Sequence, residues 1–133
     1  MGSQKIDKPW GYEIIWASTP RYAGKILFIE KGHRLSRQYH QIKDESIVVL
    51  EGKLRLEIGP DQYDSALQVS HLEQGEARHI TPGTVHRFCA EEGDVCLIEV
   101  STPELHDVVR LEDDYKRIEK DQLPAIKPPR FQK

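Results

Sequence analysis

The feature that most constrains this chain is a recurring unit: a run of apolar and β-branched residues of strand length, closed by a turn residue. The runs are Tyr12–Trp16, Lys25–Glu30, Arg34–His40, Ser46–Leu50, Lys53–Ile58, Leu67–Leu72, Ala77–Ile80, Thr84–Cys89 and Val95–Val100. Between them stand Lys31-Gly32, Glu51-Gly52, Gly59-Pro60-Asp61, Gln74-Gly75, Thr81-Pro82-Gly83 and Glu92-Gly93. Short strands at regular spacing with glycine turns predict an all-β sandwich or barrel. The charged run Glu112–Lys120 has helical spacing and is the one helix expected. The proline-rich tail Leu123–Lys133 is expected to run extended or to strap the barrel. We read one domain over residues 1–133, with its core at about 8–117 and a tail at 118–133.

A chain of 133 residues fits one domain and can bury a core without disulfide or metal staples. A formal net charge of -3 gives no electrostatic reason to expect nucleic acid or an anionic membrane as partner. No run approaches the ~20 apolar residues of a membrane span. The start, MGSQKIDKPWGYE, lacks the apolar segment of a secretory signal, so a cytoplasmic location is expected. Cys89 and Cys96 flank the turn Glu91–Asp94. That placement allows a hairpin disulfide, but packed reduced thiols suit a cytoplasmic protein better.

Spacing also suggests a site. Gln38 and His40 are two apart in a strand-like run, and period-two alternation puts both on one face. Glu45 heads the next strand, and His86 follows the turn Thr81-Pro82-Gly83. Two short strand pairs would bring these groups together at one end of a barrel. Imidazoles, a carboxylate and an amide oxygen make a mixed ligand set for a divalent ion, with positions left open for water or substrate. The amide of Gln38 could instead bind a phosphate or a strand edge. His33, His71, His79 and His106 have no partner at ligand spacing and read as surface residues.

The run Gly32-(five)-Gln38-x-His40-(four)-Glu45-(six)-Gly52 resembles the first cupin motif, with glutamine in place of its first histidine. The run Gly75-(five)-Thr81-x-Gly83-(two)-His86-(three)-Ala90 resembles the second, with Thr81 and Ala90 in place of its proline and asparagine. The resemblance implies a cupin fold: a jelly-roll, double-stranded β-helix barrel. Four blocks narrow it: KPWGYE at Lys8–Glu13, Arg34–Lys53, Gly75–Phe88, and LIEV followed by DVVRLEDDYKR at Asp107–Arg117. These are similar to the isomerase domain of type II phosphomannose isomerases, often fused to mannose-1-phosphate guanylyltransferase. A Gln-x-His pair is that family's own form of the motif. Gln41, Ile42, Lys43, Asp44 and Ser46 depart from the family's histidine-rich block, and Lys116 from its closing Tyr-Gly-Arg.

The resemblance implies one divalent metal on Gln38, His40, Glu45 and His86. Zinc leads, with manganese, iron, cobalt and nickel open. It further implies a sugar-phosphate aldose–ketose isomerase working through an enediolate. The rival expectations are a non-catalytic cupin binding a sugar or sugar nucleotide, and a metal-dependent dioxygenase, since a fold does not settle chemistry. Arg110 is the preferred phosphate-binding or catalytic arginine, and Lys8 a second substrate-binding cation. Arg37 and Arg87 adjoin ligands in sequence, so alternation turns them away from the metal. Glu99 is a candidate base, with Glu13 and His33 behind it. Trp10 and Trp16 read as core or lid. A homodimer is expected, because sheet edges need cover, and a separately made sugar nucleotidyltransferase is a candidate partner.

Overall fold

The computed structural model describes residues 3–59 and 67–117. Eleven strands follow one another: β1 (Gln4–Lys8), β2 (Gly11–Ser18), β3 (Ala23–Ile29), β4 (Arg37–Tyr39), β5 (Glu45–Glu51), β6 (Leu54–Gly59), β7 (Gln68–Leu72), β8 (Ala77–Ile80), β9 (Val85–Cys89), β10 (Val95–Ser101) and β11 (Val109–Glu112). They form two antiparallel sheets, ordered β1-β2-β3-β10-β5-β8 and β11-β4-β9-β6-β7. All the runs expected from the sequence contain a strand. β1 and β11 were not expected. β1 (QKIDK) is a polar edge strand whose place comes from pairing with β2.

Period-two alternation explains the core. In register, Leu97 faces both Leu27 and Val49 across the first sheet. Their side chains meet Leu54, Leu56, Leu72 and Phe88 of the second. Each such aliphatic residue, buried almost completely, contributes about 1.5–3 kcal/mol. The turns are set by glycines where the backbone needs them. Gly52 has φ 87°, and a Cβ there would stand 2.3 Å from the Asp94 carbonyl oxygen.

Glu112–Arg117 is not helical; Glu112 ends β11 and the chain then turns. The Asp113 carboxylate accepts the Arg117 backbone N–H at 2.7 Å, and Lys116 sits at φ 59°, which closes a turn and stops helical propagation. Asp113 and Arg117 form an ion pair at 2.7 Å across that turn. The rest of the expected helix and the tail lie outside the described residues. Cys89 in β9 and Cys96 in β10 are on different sheets and are free thiols. Among the described residues no helix is long and apolar enough to cross a membrane.

Candidate metal centre

His40, Glu45 and His86 come together between the sheets, and each is buried. His40 follows β4, Glu45 opens β5, and His86 lies in β9. Gln38 and His86 are direct neighbours across β4 and β9. The turn before β9 is tied back to the site: Gly83, at φ 84°, donates its N–H to the His40 carbonyl at 2.7 Å. The three residues offer ligand atoms all within 4.8 Å of one another, so the group could hold a metal ion.

The tautomers are set by the backbone. His40 Nδ1 lies 2.5 Å from the Asp107 carbonyl, and His86 Nδ1 lies 3.0 Å from that of Thr84. A carbonyl only accepts, so both Nδ1 atoms carry the proton and both Nε2 atoms present lone pairs. His40 Nε2 is 3.5 Å from Glu45 Oε1, and His86 Nε2 is 3.4 Å from Glu45 Oε2. His40 Nε2, His86 Nε2 and Glu45 Oε2 are buried without a hydrogen-bond partner among the described residues, while Glu45 Oε1 has the Lys43 ammonium at 3.0 Å. Burial pushes the His40 imidazole down to about 4, so it stays neutral. Burial alone would raise the Glu45 carboxyl. His86, then Lys43 and His40, hold it well below the usual carboxylate range instead.

The pocket above this group has a volume of about 90 Å³. Gln38 lines it, but its amide oxygen accepts the Ser36 hydroxyl at 2.5 Å. Glu99 and Arg110 line it, as does Lys8, and so does the candidate base Glu13. His33 does not; it stacks on Tyr115 with ring centroids 6.4 Å apart. Arg37 and Arg87 point to the outer face, as alternation required, and each reaches Glu112 at 3.4 Å. His79 bonds Asp44 at 2.6 Å on the surface. Trp10 is in the core, and Trp16 lies exposed over Gly24.

Several pocket residues escaped the sequence reading. Lys43 is buried, with Nζ 3.0 Å from Glu45 and 2.9 Å from Glu99. Burial would lower this ammonium, but Glu99 and Glu45 hold it above the ordinary lysine range. Burial, then the Glu45 charge, pushes the Glu99 carboxyl up despite Lys43. Lys25 is buried beside Glu13 at 3.4 Å, and Arg117 also reaches the pocket. For Lys43 there was no local signal, because it lies in the irregular turn before β5, where strand alternation does not apply. For Lys25 there was none, because β3 is apolar on both faces and alternation does not say which is inside. The lining carries five cationic side chains against three carboxylates, a balance that suits an anion. Lys8 registers it: burial, with Lys25, Arg117 and Arg110, lowers its ammonium in spite of Glu13.

Two antiparallel sheets in a double-stranded β-helix, with an enclosed His/Glu/His group at one end, define a cupin. The chain belongs to the family described as mannose-6-phosphate isomerase C-terminal, whose model matches residues 2–120. It is 34% identical over 122 residues to mannose-1-phosphate guanylyltransferase ManC of Salmonella typhimurium. That match takes in 86% of this chain and 23% of the relative's length. Among solved structures, KdgF from Halomonas sp. matches with a TM-score of 0.64 at 21% identity, over 77% of this chain and 86% of that one. The capsular polysaccharide assembling protein CapF of Staphylococcus aureus matches with a TM-score of 0.73 at 18% identity, over 84% of this chain and 32% of that one. At those identities the two structures speak for the fold alone.

Proposed function

We propose that this chain is a metal-dependent aldose–ketose isomerase acting on a sugar phosphate of the mannose 6-phosphate and fructose 6-phosphate kind. One observation carries the reading: His40 Nε2, His86 Nε2 and Glu45 Oε2 are buried, lack hydrogen-bond partners among the described residues and face one another under a cationic pocket. A buried polar atom without a partner costs about 1–3 kcal/mol. A divalent cation held by these residues would remove that cost. The donor set fits zinc first, and manganese, iron, cobalt or nickel as well. His40, Glu45 and His86 would hold it, joined by Gln38 if its oxygen exchanges Ser36 for the ion. When bound, such an ion supplies Lewis acidity to the reacting sugar oxygens.

The remaining tasks fall to the chain's own side chains. Isomerisation removes a proton from the carbon next to a carbonyl and returns it to the adjacent carbon. Glu99, whose proton affinity is raised, is the better base of the two carboxylates nearest Lys43. Lys43 keeps positive charge where an enediolate would need it. Arg110 and Lys8 also line an adjoining groove of about 440 Å³, which is where a phosphate would be gripped. Trp10, Leu35 and Phe88 keep water from the inner end.

The decisive experiment supplies purified protein with Zn²⁺ or Mn²⁺ and follows interconversion of the two hexose phosphates by a coupled assay. Turnover that disappears on chelation and returns with metal is the expected result. The second reading is a non-catalytic cupin binding a sugar or sugar nucleotide. It is favoured by the small inner cavity and by the engaged oxygen of Gln38. Metal-replete protein that binds sugar phosphates and turns none over would establish it instead.

A further inference from the structure

The turn between His40 and Glu45, Gln41–Asp44, has no regular structure of its own to fix it. It is held from outside by the connection between β10 and β11. Asp107 accepts three successive backbone N–H groups: Gln41 at Oδ1 (3.1 Å), and Ile42 and Lys43 at Oδ2 (2.7 and 2.8 Å). The backbone carbonyl of the same residue takes the His40 Nδ1 proton at 2.5 Å. Farther along the turn, Thr102 accepts the Asp44 N–H at its hydroxyl (2.9 Å) and donates its own N–H to the Asp44 carbonyl (3.0 Å).

One residue therefore sets two things at once. Its side chain fixes the backbone that carries Lys43 into the pocket. Its carbonyl fixes the tautomer and the plane of the His40 ring. The two are not independent, since the three bonds to Asp107 hold its own backbone in place and so aim the carbonyl. Leu105, Val108 and Arg110, on either side of it, form a wall of the pocket. The wall and the proposed ligand turn are thus pinned to each other at a single point.

We propose that Asp107 is a positioning residue: it presents His40 Nε2 and Lys43 Nζ to the proposed metal centre and couples that centre to the wall that carries Arg110. This rests on the metal reading above. Outer hydrogen-bond partners of ligating histidines typically govern metal affinity by about 10–100-fold. Asp107→Ala should therefore weaken Zn²⁺ binding by roughly that factor. Asp107→Asn retains one strong acceptor but turns an amide N–H₂ toward a backbone donor, so it should lose about 10-fold, the lower end of the same range.

The test measures Zn²⁺ affinity by competition with a chelating dye, the visible spectrum of Co²⁺-loaded protein, and amide hydrogen exchange at Gln41–Lys43. It uses the full chain, both variants and His40→Ala. The expected result is a graded loss from wild type through Asp107→Asn to Asp107→Ala, a changed cobalt spectrum, and faster exchange confined to the turn. If Asp107→Ala fails to fold, Asp107→Asn decides. A variant with wild-type Zn²⁺ affinity, cobalt spectrum and exchange, beside a His40→Ala that loses metal, overturns the inference. Wild-type protein that binds neither ion, or a His40→Ala that keeps full affinity, overturns the metal reading and the metal-positioning role with it. Exchange at Gln41–Lys43 then still reports whether Asp107 holds the turn.

Discussion

The space between the sheets has two ends built by the same strands. Along the inward face of β10, Val95 and Leu97 give way to Glu99. In β3, Ile29 and Leu27 give way to Lys25, and in β9 Phe88 gives way to His86. In β5 the order is Val49, Ile47, Glu45. At one end the packed side chains are apolar. At the other, equally buried, ionic groups survive by pairing with each other. The dry end supplies stability by excluding water, and this allows the polar end to hold buried charge that would otherwise be costly. Stability and chemistry are separated by one step of strand alternation.

That contrast can be broken at either end. The largest effect is expected from His86→Ala, which takes a proposed ligand out of the polar end. Metal retention and isomerase activity should fall by more than the roughly 10–100-fold that an outer hydrogen bond controls. Elemental analysis after gel filtration, beside a thermal melt, would show metal lost while the fold is kept. His86→Ala protein at full metal occupancy would contradict the ligand assignment.

Next comes Lys43→Met, which leaves Glu45 and Glu99 facing each other without a cation. Loss of one partner in a buried ion pair costs about 3–5 kcal/mol, and urea unfolding of metal-free protein should report that order of loss. Adding Glu99→Gln should restore part of it. Absence of any recovery would mean that the two carboxylates do not share Lys43.

At the dry end, Leu97→Ala leaves a cavity between Leu27 and Val49. A cost of about 2–5 kcal/mol is expected in denaturant unfolding, with Zn²⁺ affinity of the folded protein unchanged. A large fall in affinity would show that the two ends are not separable.

The smallest effect concerns the turn after β11. Burial would raise the Asp113 carboxyl, but Arg117 and the backbone N–H groups of Arg117 and Tyr115 hold it below the ordinary value. A depressed carboxyl stabilises the fold above the unfolded value, near 3.8, and loses that contribution as pH falls through the lower folded value. The Arg117 amide resonance should therefore shift with a midpoint below 3.8. A shift centred at or above the ordinary carboxylate value would show that the turn is not held by Asp113.

Much of the site was legible because its signals are local. Gln38 and His40 share a face by alternation, and Arg37 and Arg87 are turned away by the same rule. His86 follows a turn whose glycine adopts the positive φ that such turns require. The helix expected over Glu112–Lys120 fails at Glu112–Arg117 because a charged run of helical spacing does not reveal a side-chain-capped turn. β11 was missed with it. Lys25 was missed because apolar residues on both faces of β3 conceal which face is the interior.

The residue pattern alone determined the class of fold and the three groups that meet at its end, since strand period and turn length act over a few neighbours. Tertiary structure alone decided which cations enter the pocket, that Gln38 gives its oxygen to Ser36, and that Asp107 anchors the turn beside His40. Those outcomes depend on contacts between residues as much as 67 positions apart, and no local rule of spacing reaches that far.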